Sequence, residues 1–319
     1  MIELSVVVPV FNEHHSIPEL YARLQQAASG ITPQYELIFV NDGSTDNSLA
    51  SLVQLAKEQH NVFYINFSRN FGHQLAVSAG LDAAHGKAVV IIDGDLQDPP
   101  ELIGDMYAKY KAGYEVVYAR RIERKGEGLF KRLTAKMFYR ALRWMTSIDI
   151  PLDTGDFRLI DRKVVDQLKH MPEQNKFLRG QIAWLGFRQT EVTFSRDKRK
   201  YGKTGYSLAK MFRFAMDGIT GFSDRPLLMV SRLGFLFSFI AFLVILYACY
   251  SYFVMHRTIT GWTSLIISSM FIGGIQLISV GIIGAYISRI NRNVQNRPLY
   301  VVESTNLVET HAEAPVHVE

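Results

Sequence analysis

Two long runs without charge constrain this chain more than any other feature of its sequence. Leu233 to Met255 and Thr258 to Ser288 contain no charged residue. Each run exceeds the roughly 20 apolar residues that a helix needs to cross a bilayer. A buried pair of core helices would need a large soluble shell, which the residues after Ser288 cannot supply. We therefore predict two membrane-spanning helices, at about 230–255 and 263–288.

The basic residues around these spans predict their orientation. The connection between them carries only His256 and Arg257, whereas more cations lie outside, namely Lys210, Arg213, Arg225 and Arg232 before the first span and Arg289, Arg292 and Arg297 after the second. The positive-inside rule then predicts a cytoplasmic N-terminal domain and a cytoplasmic C-terminus in the cytoplasmic (inner) membrane. We expect no cleavable signal peptide, because the chain begins directly in a strand pattern.

Charge and cysteine content exclude other classes. The formal net charge is +5, but the basic residues form no stripe with stacking aromatics, so we expect no nucleic-acid partner. The single cysteine, Cys249, excludes an internal disulfide framework and a cysteine-based zinc site.

Strand and helix patterns alternate through the N-terminal part. Strands are expected at 4–11, 36–40, 61–67, 88–92 and 114–119. Helices are expected at about 16–28 and 74–85, and another follows the loop 41–46 and ends near residue 60. This alternation predicts an α/β fold with a doubly wound, mostly parallel sheet. The expected domains are an α/β domain at 1–205, an amphipathic juxtamembrane helix at 206–226, the two spans within 227–290, and a tail at 291–319 that is disordered after Tyr300.

A pair of carboxylates follows one of these strands. Asp93 and Asp95 come directly after the apolar run 88–92, and Pro99 and Pro100 begin the next helix. Ligands of open α/β sheets bind outside the carboxyl ends of the strands. Paired carboxylates there suit Mg²⁺ or Mn²⁺ completed by substrate phosphates and water, although a solvated acidic loop is the plain alternative.

Four motifs taken together resemble a known family. They are Val8–Glu13, Asn41–Asp46, Asp93–Glu101, and the late loop with Arg199 followed by Gly202-Lys203-Thr204. In this order they resemble family 2 glycosyltransferases with the Rossmann-like GT-A fold. With the two C-terminal spans, the resemblance narrows to polyisoprenyl-phosphate glycosyltransferases and covers about Ile2 to Pro298. The segment 154–159 is more similar to the bactoprenol glucosyltransferases than to the dolichyl-phosphate mannose synthases.

The resemblance implies a binding site for a nucleotide-diphosphate sugar. Asp95 would contact the metal, and Asp93 would help it while lying nearer the ribose and sugar. The other residues implied in donor binding are Pro9, Phe11, Glu13, Asp42, Asn70, Gly72 and Gln97. Purely structural roles remain open for several of these residues. Residues 41–43 would form a turn whether or not they bind a ligand, and Asn70 and Gly72 could cap the next helix. Gln97 could make no contact with the substrate.

The implied acceptor is a polyprenyl phosphate in the bilayer. A phosphomonoester has a second pKa near 6, so it is largely dianionic at pH 7 and needs cations more than a general base. The candidates are Arg124, Lys131, Arg158, Arg199 and Lys203. Basic residues of 120–132 could instead attract anionic headgroups. Asp156 resembles a proposed base, or it orients Arg158 or Lys203. With Asp95 and Arg199 it completes the expected catalytic set.

The expected reaction is inverting transfer of a hexose, glucose from UDP-glucose, to undecaprenyl phosphate on the cytoplasmic face. GDP-mannose or a UDP-aminosugar as donor, and a non-catalytic membrane scaffold, are the alternatives. The loop Gly202-Lys203-Thr204-Gly205-Tyr206 departs from the family pattern, which leaves the phosphate-binding group there open. Homo-oligomerisation through the second span is expected from its glycines, Gly273, Gly274, Gly281 and Gly284.

Overall fold

The computed structural model describes residues 1–121, 154–194, 221, 223–254 and 261–307. These residues fall into two compact units. One contains every described strand, including a short one near the C-terminus, and the other contains two long apolar helices. The sequence also predicts an amphipathic helix at about 129–145, which lies outside the described residues, as do residues 206–220 and 222 of the juxtamembrane helix expected at 206–226.

The first unit is built on one eight-stranded sheet. Its strands are β1 (Leu4–Val10), β2 (Tyr35–Asn41), β3 (Val62–Phe67), β4 (Ala88–Ile91), β5 (Val116–Arg121), β6 (Thr154–Asp161), β7 (Gln189–Phe194) and β8 (Val302–Thr305). Their spatial order is β7-β5-β6-β4-β1-β2-β3-β8. The core strands β4, β1, β2 and β3 are mutually parallel, β6 is antiparallel to β4 and β5, and β8 is antiparallel to β3. The predicted mostly parallel GT-A sheet is confirmed.

Helices cover both faces of this sheet. They are α1 (Ile17–Ser29), α2 (Ser48–Glu58), α3 (His73–Ala83), α4 (Ile103–Lys111), α5 (Arg162–Lys169) and α6 (Leu178–Trp184), with a 3₁₀ turn at Pro100–Leu102. Val6 and Val8 of β1 pack into the core shared with α1, whereas Val7 packs into the core shared with α3. This two-sided burial explains why β1 reads as a continuous β-branched run. At Gly80 of α3 a Cβ would lie 2.2 Å from Val7, so a small residue is needed there.

The C-terminal segment corrects one expectation. Disorder after Tyr300 is wrong for residues 302–305, which form β8 on the edge of β3. Its polar composition is misleading because the side chains bind β3 directly: Asn306 accepts from Tyr64 N at 2.7 Å and donates to Val62 O at 3.0 Å. A sheet edge offers unpaired backbone groups that such a segment can satisfy.

The second unit contains α7 (Arg225–Phe253) and α8 (Trp262–Gln295). Windows within them, Arg225–Val244 and Ser268–Gln295, have mean hydropathies of 2.2 and 1.9 and are not buried. Both helices are therefore long and apolar enough to cross a bilayer, as the sequence predicts. Within this unit Tyr286 donates from its hydroxyl to Ser223 O at 2.6 Å.

Candidate active site

The carboxyl ends of the parallel strands bring the acidic loops together. Loops follow β1, β2, β3 and β4 at this edge, and contacts between them are direct. Asn12 Oδ1 accepts from Thr45 N at 2.8 Å, and Ser16 Oγ lies 2.9 Å from Gly94 O. The loops after β1, β2 and β4 therefore form one connected surface at the edge where α/β sheets bind ligands.

Asp93 and Asp95 lie at the end of β4, where the sequence predicts a metal site. Asp95 Oδ1 accepts from Gln97 N at 3.1 Å, which closes a tight turn with Leu96 at a φ of 59°. Asp93 Oδ1 is buried and has no hydrogen-bond partner within the described residues. Burial raises the pKa of Asp93, and the nearby His73 imidazole only partly offsets this effect.

A buried carboxylate oxygen that accepts no hydrogen bond, next to a second carboxylate, fits a hard divalent cation. The described residues contain no group of three or more His, Cys, Asp or Glu side chains able to hold a metal by themselves. Any ion held by Asp93 and Asp95 would need substrate oxygens and water to complete its ligands, which is the usual arrangement for Mg²⁺.

A second constellation surrounds Asp156 on β6. Its carboxylate accepts from Arg179 Nε at 2.7 Å, from His73 Nε2 at 3.0 Å and from Gln74 Nε2 at 3.3 Å. Arg158 Nη2 lies 3.9 Å from the same carboxylate. We call these five residues the Asp156 cluster. Because β6 lies next to β4, the cluster adjoins the carboxylate pair.

His73 joins the two carboxylate sites. Its Nε2 lies 3.0 Å from Asp156 Oδ2 and 3.5 Å from Asp93 Oδ1, and 41% of its side chain is exposed. Burial disfavours the charged imidazole, but the carboxylates of Asp93 and Asp156 outweigh it and raise the pKa of His73 to about 9. The imidazole is therefore a cation near neutral pH.

The environment of Asp156 bears on its two predicted roles. Burial alone would raise its pKa, but the Arg179 guanidinium and the His73 imidazole hold the pKa of Asp156 well below its usual value. A carboxylate this acidic is a weak proton acceptor. The geometry favours the orienting role, with His73 and Arg179 as the cations that it holds.

Arg158 is inside the protein rather than at its surface. Its Nη2 donates to Gly155 O at 2.9 Å and its Nε donates to Asp156 O at 3.3 Å. Burial lowers the pKa of Arg158 to about 10, which leaves it charged at neutral pH. Its expected contact with an acceptor phosphate stays a prediction, and would require this buried side chain to change its partners.

Asp42 connects the loops after β2 and β3. Its Oδ1 accepts from Phe71 N at 2.7 Å, its Oδ2 accepts from Gly72 N at 3.0 Å, and Asn70 Nδ2 donates to its carbonyl at 3.1 Å. Burial raises the pKa of Asp42 against the opposing effect of these amides. Asp42, Asn70 and Gly72 thus meet on the predicted donor side, while both oxygens of the Asp42 carboxylate accept from this loop.

The remaining donor-side residues lie along the end of β1. Phe11 is 47% exposed, whereas Pro9 is buried in the strand opposite Val40. Glu13 Oε2 lies 3.0 Å from Ser16 Oγ. Gln97 is buried after the carboxylate pair. Their contacts with a nucleotide sugar stay predictions, and Arg124, Lys131, Arg199 and Lys203 lie outside the described residues.

Sequence reasoning missed His73, Gln74 and Arg179. The first two directly follow Gly72 at the start of α3, so their position after a parallel strand was a usable signal. Arg179 belongs to no recognised motif, and only the tertiary contact with Asp156 identifies it.

Comparisons with known proteins agree with this geometry. Residues 5–169 match the family described as glycosyl transferase family 2. The uncharacterized glycosyltransferase YkcC of Bacillus subtilis is 51% identical over 97% of this chain and 95% of its own length. An uncharacterized glycosyltransferase of Synechocystis is 45% identical over 94% of this chain and 95% of its own length. A prophage-derived bactoprenol glucosyl transferase of Shigella flexneri is 38% identical over 95% and 98%.

Proposed function

The chain belongs to glycosyltransferase family 2, and on that premise we propose that it transfers glucose from UDP-glucose to a membrane polyprenyl phosphate. One observation carries the proposal: a carboxylate pair suited to a metal–diphosphate complex adjoins a cluster of buried and half-buried cations. The relatives named bactoprenol glucosyl transferase support glucose and a bactoprenol-type acceptor. The membrane-length helices supply the setting for a lipid substrate.

The donor would bind across the loops after β1, β2 and β4. Asp95 and Asp93 would hold Mg²⁺ or Mn²⁺, which, when bound, neutralises charge on the leaving diphosphate. The exposed ring of Phe11 and the carboxylate of Glu13 offer a stacking surface and a hydrogen-bond acceptor to a nucleoside. Asp42 would act mainly through the loop amides that it binds.

The acceptor phosphate needs positive charge more than a base. His73, Arg158 and Arg179 place three cations beside the carboxylates of Asp93 and Asp156 before any substrate binds. A dianionic phosphate is already nucleophilic, and buried cations stabilise it strongly. The acidic Asp156 would hold His73 and Arg179 in place while a phosphate oxygen displaces the diphosphate with inversion at the anomeric carbon.

Chain connectivity supports a single side for the catalytic unit. The chain leaves the unit for α7 and α8 and rejoins the same sheet through β8. If α7 and α8 both cross the bilayer, the chain returns to the side from which it started, whereas a single crossing would leave β8 on the opposite side. Together with the basic flanks of the spans, this argument supports a catalytic unit and C-terminus in the cytoplasm.

The test uses the detergent-purified full-length protein with Mn²⁺ or Mg²⁺ and undecaprenyl phosphate. Radiolabelled UDP-glucose, UDP-galactose, UDP-N-acetylglucosamine and GDP-mannose are offered in parallel, with Asp95→Ala as control. We expect label in the organic phase from UDP-glucose, and none in the control. Transfer from another donor would reject glucose, and a retained anomer by NMR would reject single displacement. Absence of both turnover and UDP binding would favour a scaffold.

A further inference from the structure

The segment that follows the second apolar helix returns to the catalytic sheet. We call residues 300–307 the return segment. It contains β8, which pairs antiparallel with β3, and Ser68 N donates to Val301 O at 3.1 Å beyond the strand. The sheet edge that it covers leads directly into residues 68–72, which we call the β3–α3 loop.

One line of contacts runs from Tyr300 to this loop. The Tyr300 ring stacks on Phe67, the last residue of β3, with centroids 5.0 Å apart. Phe67 in turn meets Phe71 edge to face at 5.6 Å. The Tyr300 hydroxyl donates to Asp82 Oδ2 of α3 at 2.9 Å. Tyr300 therefore holds both the β3–α3 loop and the helix that follows it.

A second line runs from Glu303 to the donor side. Glu303 Oε2 accepts from Asn66 Nδ2 at 3.0 Å, and Asn66 Oδ1 accepts from Asn41 Nδ2 at 2.7 Å. Asn41 and Asn66 are both buried. Asn41 immediately precedes Asp42, whose carboxylate accepts from the amides of Phe71 and Gly72. Both lines thus meet at the junction between Asp42 and the β3–α3 loop.

This junction sets the start of α3. Gly72 has a φ of 106° and precedes His73 and Gln74, which contact Asp156. A shift of the loop would therefore move donor-side groups and the Asp156 cluster together. A displacement of about 1 Å in a positioning element can lower the reaction rate by as much as roughly 100-fold.

We propose that the return segment is a positioning element of the nucleotide site, acting through Tyr300 on Phe67 and through Glu303 on Asn66. The inference rests on the proposed function, since it assigns the Asp42 junction to nucleotide binding. Tyr300 and Glu303 are positioning residues, because they contact β3 and α3 and not the reacting groups. The polar sequence after α8 thereby becomes part of the donor site.

Four variants of the full-length protein test this proposal. Tyr300→Leu and Glu303→Ala remove each contact. Tyr300→Phe keeps the stacking, and Glu303→Gln keeps an oxygen able to accept from Asn66. Val302→Thr is the matched control, because Val302 lies between Tyr300 and Glu303 in the return segment and is 42% exposed. UDP affinity with Mn²⁺ is measured by calorimetry, KM is measured for each substrate, and backbone exchange of 68–72 is followed by mass spectrometry.

We expect Tyr300→Leu and Glu303→Ala each to weaken UDP binding about three- to tenfold, in line with loss of one hydrogen bond or ring contact. KM for UDP-glucose should rise while KM for the polyprenyl phosphate changes less, and the β3–α3 loop should exchange faster. Tyr300→Phe should keep part of the affinity. Glu303→Gln should stay within about twofold of the wild type, as should the control.

Other outcomes separate the two proposals. Unchanged UDP affinity and unchanged loop exchange in the Tyr300→Leu, Glu303→Ala double variant would overturn the positioning role. Equal increases in both KM values, together with lower thermal stability, would also overturn it, because they indicate general destabilisation. If the wild type binds no UDP, the proposed function fails, while loop exchange in the variants still reports on positioning.

Discussion

Asp156→Asn distinguishes a positioning carboxylate from a general base. The substitution removes one negative charge from a side chain that is 12% exposed and surrounded by His73, Arg158 and Arg179. It also places an amide nitrogen against donors. If Asp156 positions the cluster, the variant must lose stability as well as activity, because the repulsion among the three cations is then offset by one carboxylate fewer.

The expected loss of stability follows from the burial of the ion pair between Asp156 and Arg179. Removing one partner of a buried ion pair costs about 3–5 kcal/mol, and the remaining amide oxygen favours the low end at about 3 kcal/mol. For a unit of this size each kcal/mol lowers Tm by about 2–4 °C, so we expect a decrease of roughly 6–12 °C. A pure general base would instead cost about 10²–10⁴ in rate with little change in Tm.

The assay combines thermal unfolding with transfer kinetics on detergent-purified protein. Asp166→Asn is the control, because its carboxylate is 51% exposed and lies 3.9 Å from Arg162. A double-mutant cycle with Arg179→Gln should give a coupling of about 1–3 kcal/mol, since each change alone removes one partner of the 2.7 Å ion pair. A wild-type Tm for Asp156→Asn together with a large fall in kcat would refute this reasoning.

Three further predictions follow from the same geometry. Because the pKa of His73 rises from 6.5 to about 9 on folding, the stability that its charged form gives the folded protein is complete below pH 6.5 and is lost as the pH rises through 9. His73→Gln should remove this decline in stability from unfolding curves measured without metal. A decline that persists in the variant would belong to another group. Gly43→Ala should lower stability by about 1–3 kcal/mol and weaken UDP binding, because its φ is 64° and a Cβ would lie 2.4 Å from the backbone of the β3–α3 loop; Gly104→Ala, which meets nothing within 4 Å, is the control, and equal behaviour of the two would contradict the contact. Arg179→Gln should raise KM for the polyprenyl phosphate about tenfold or more and KM for UDP-glucose less; the exposed Arg188→Gln is its control, and the reverse selectivity would move Arg179 to the donor side.

The sequence predicts well those parts of the fold that local patterns encode. The β-branched run of β1 and the carboxylates after β4 follow from buried parallel strands ending at a ligand-binding edge. The predicted ends of β1 to β5 lie within two residues of the observed ones, because turn residues such as Asn41 and Gly43 mark them.

Long-range pairing accounts for what the sequence does not reveal. β6 begins with polar residues and inserts antiparallel between β4 and β5, so its first residues read as a loop. Asp156 therefore looked like a candidate base, whereas contacts with Arg179 and His73, from different helices, make it the centre of a charge cluster. The partner of Arg179 could not be inferred from spacing along the chain.

The late position of β8 in the chain has a consequence for biosynthesis. Its neighbour Asn306 bonds to Val62 across a separation of 244 residues, and both apolar helices lie between them. During translation, β1 to β4 can pair early, but the outer edge of β3 stays open until the chain beyond α8 has left the ribosome. Completion of the catalytic sheet therefore follows synthesis of both apolar helices. A chain interrupted before residue 300 would retain its carboxylate pair and still lack its final strand.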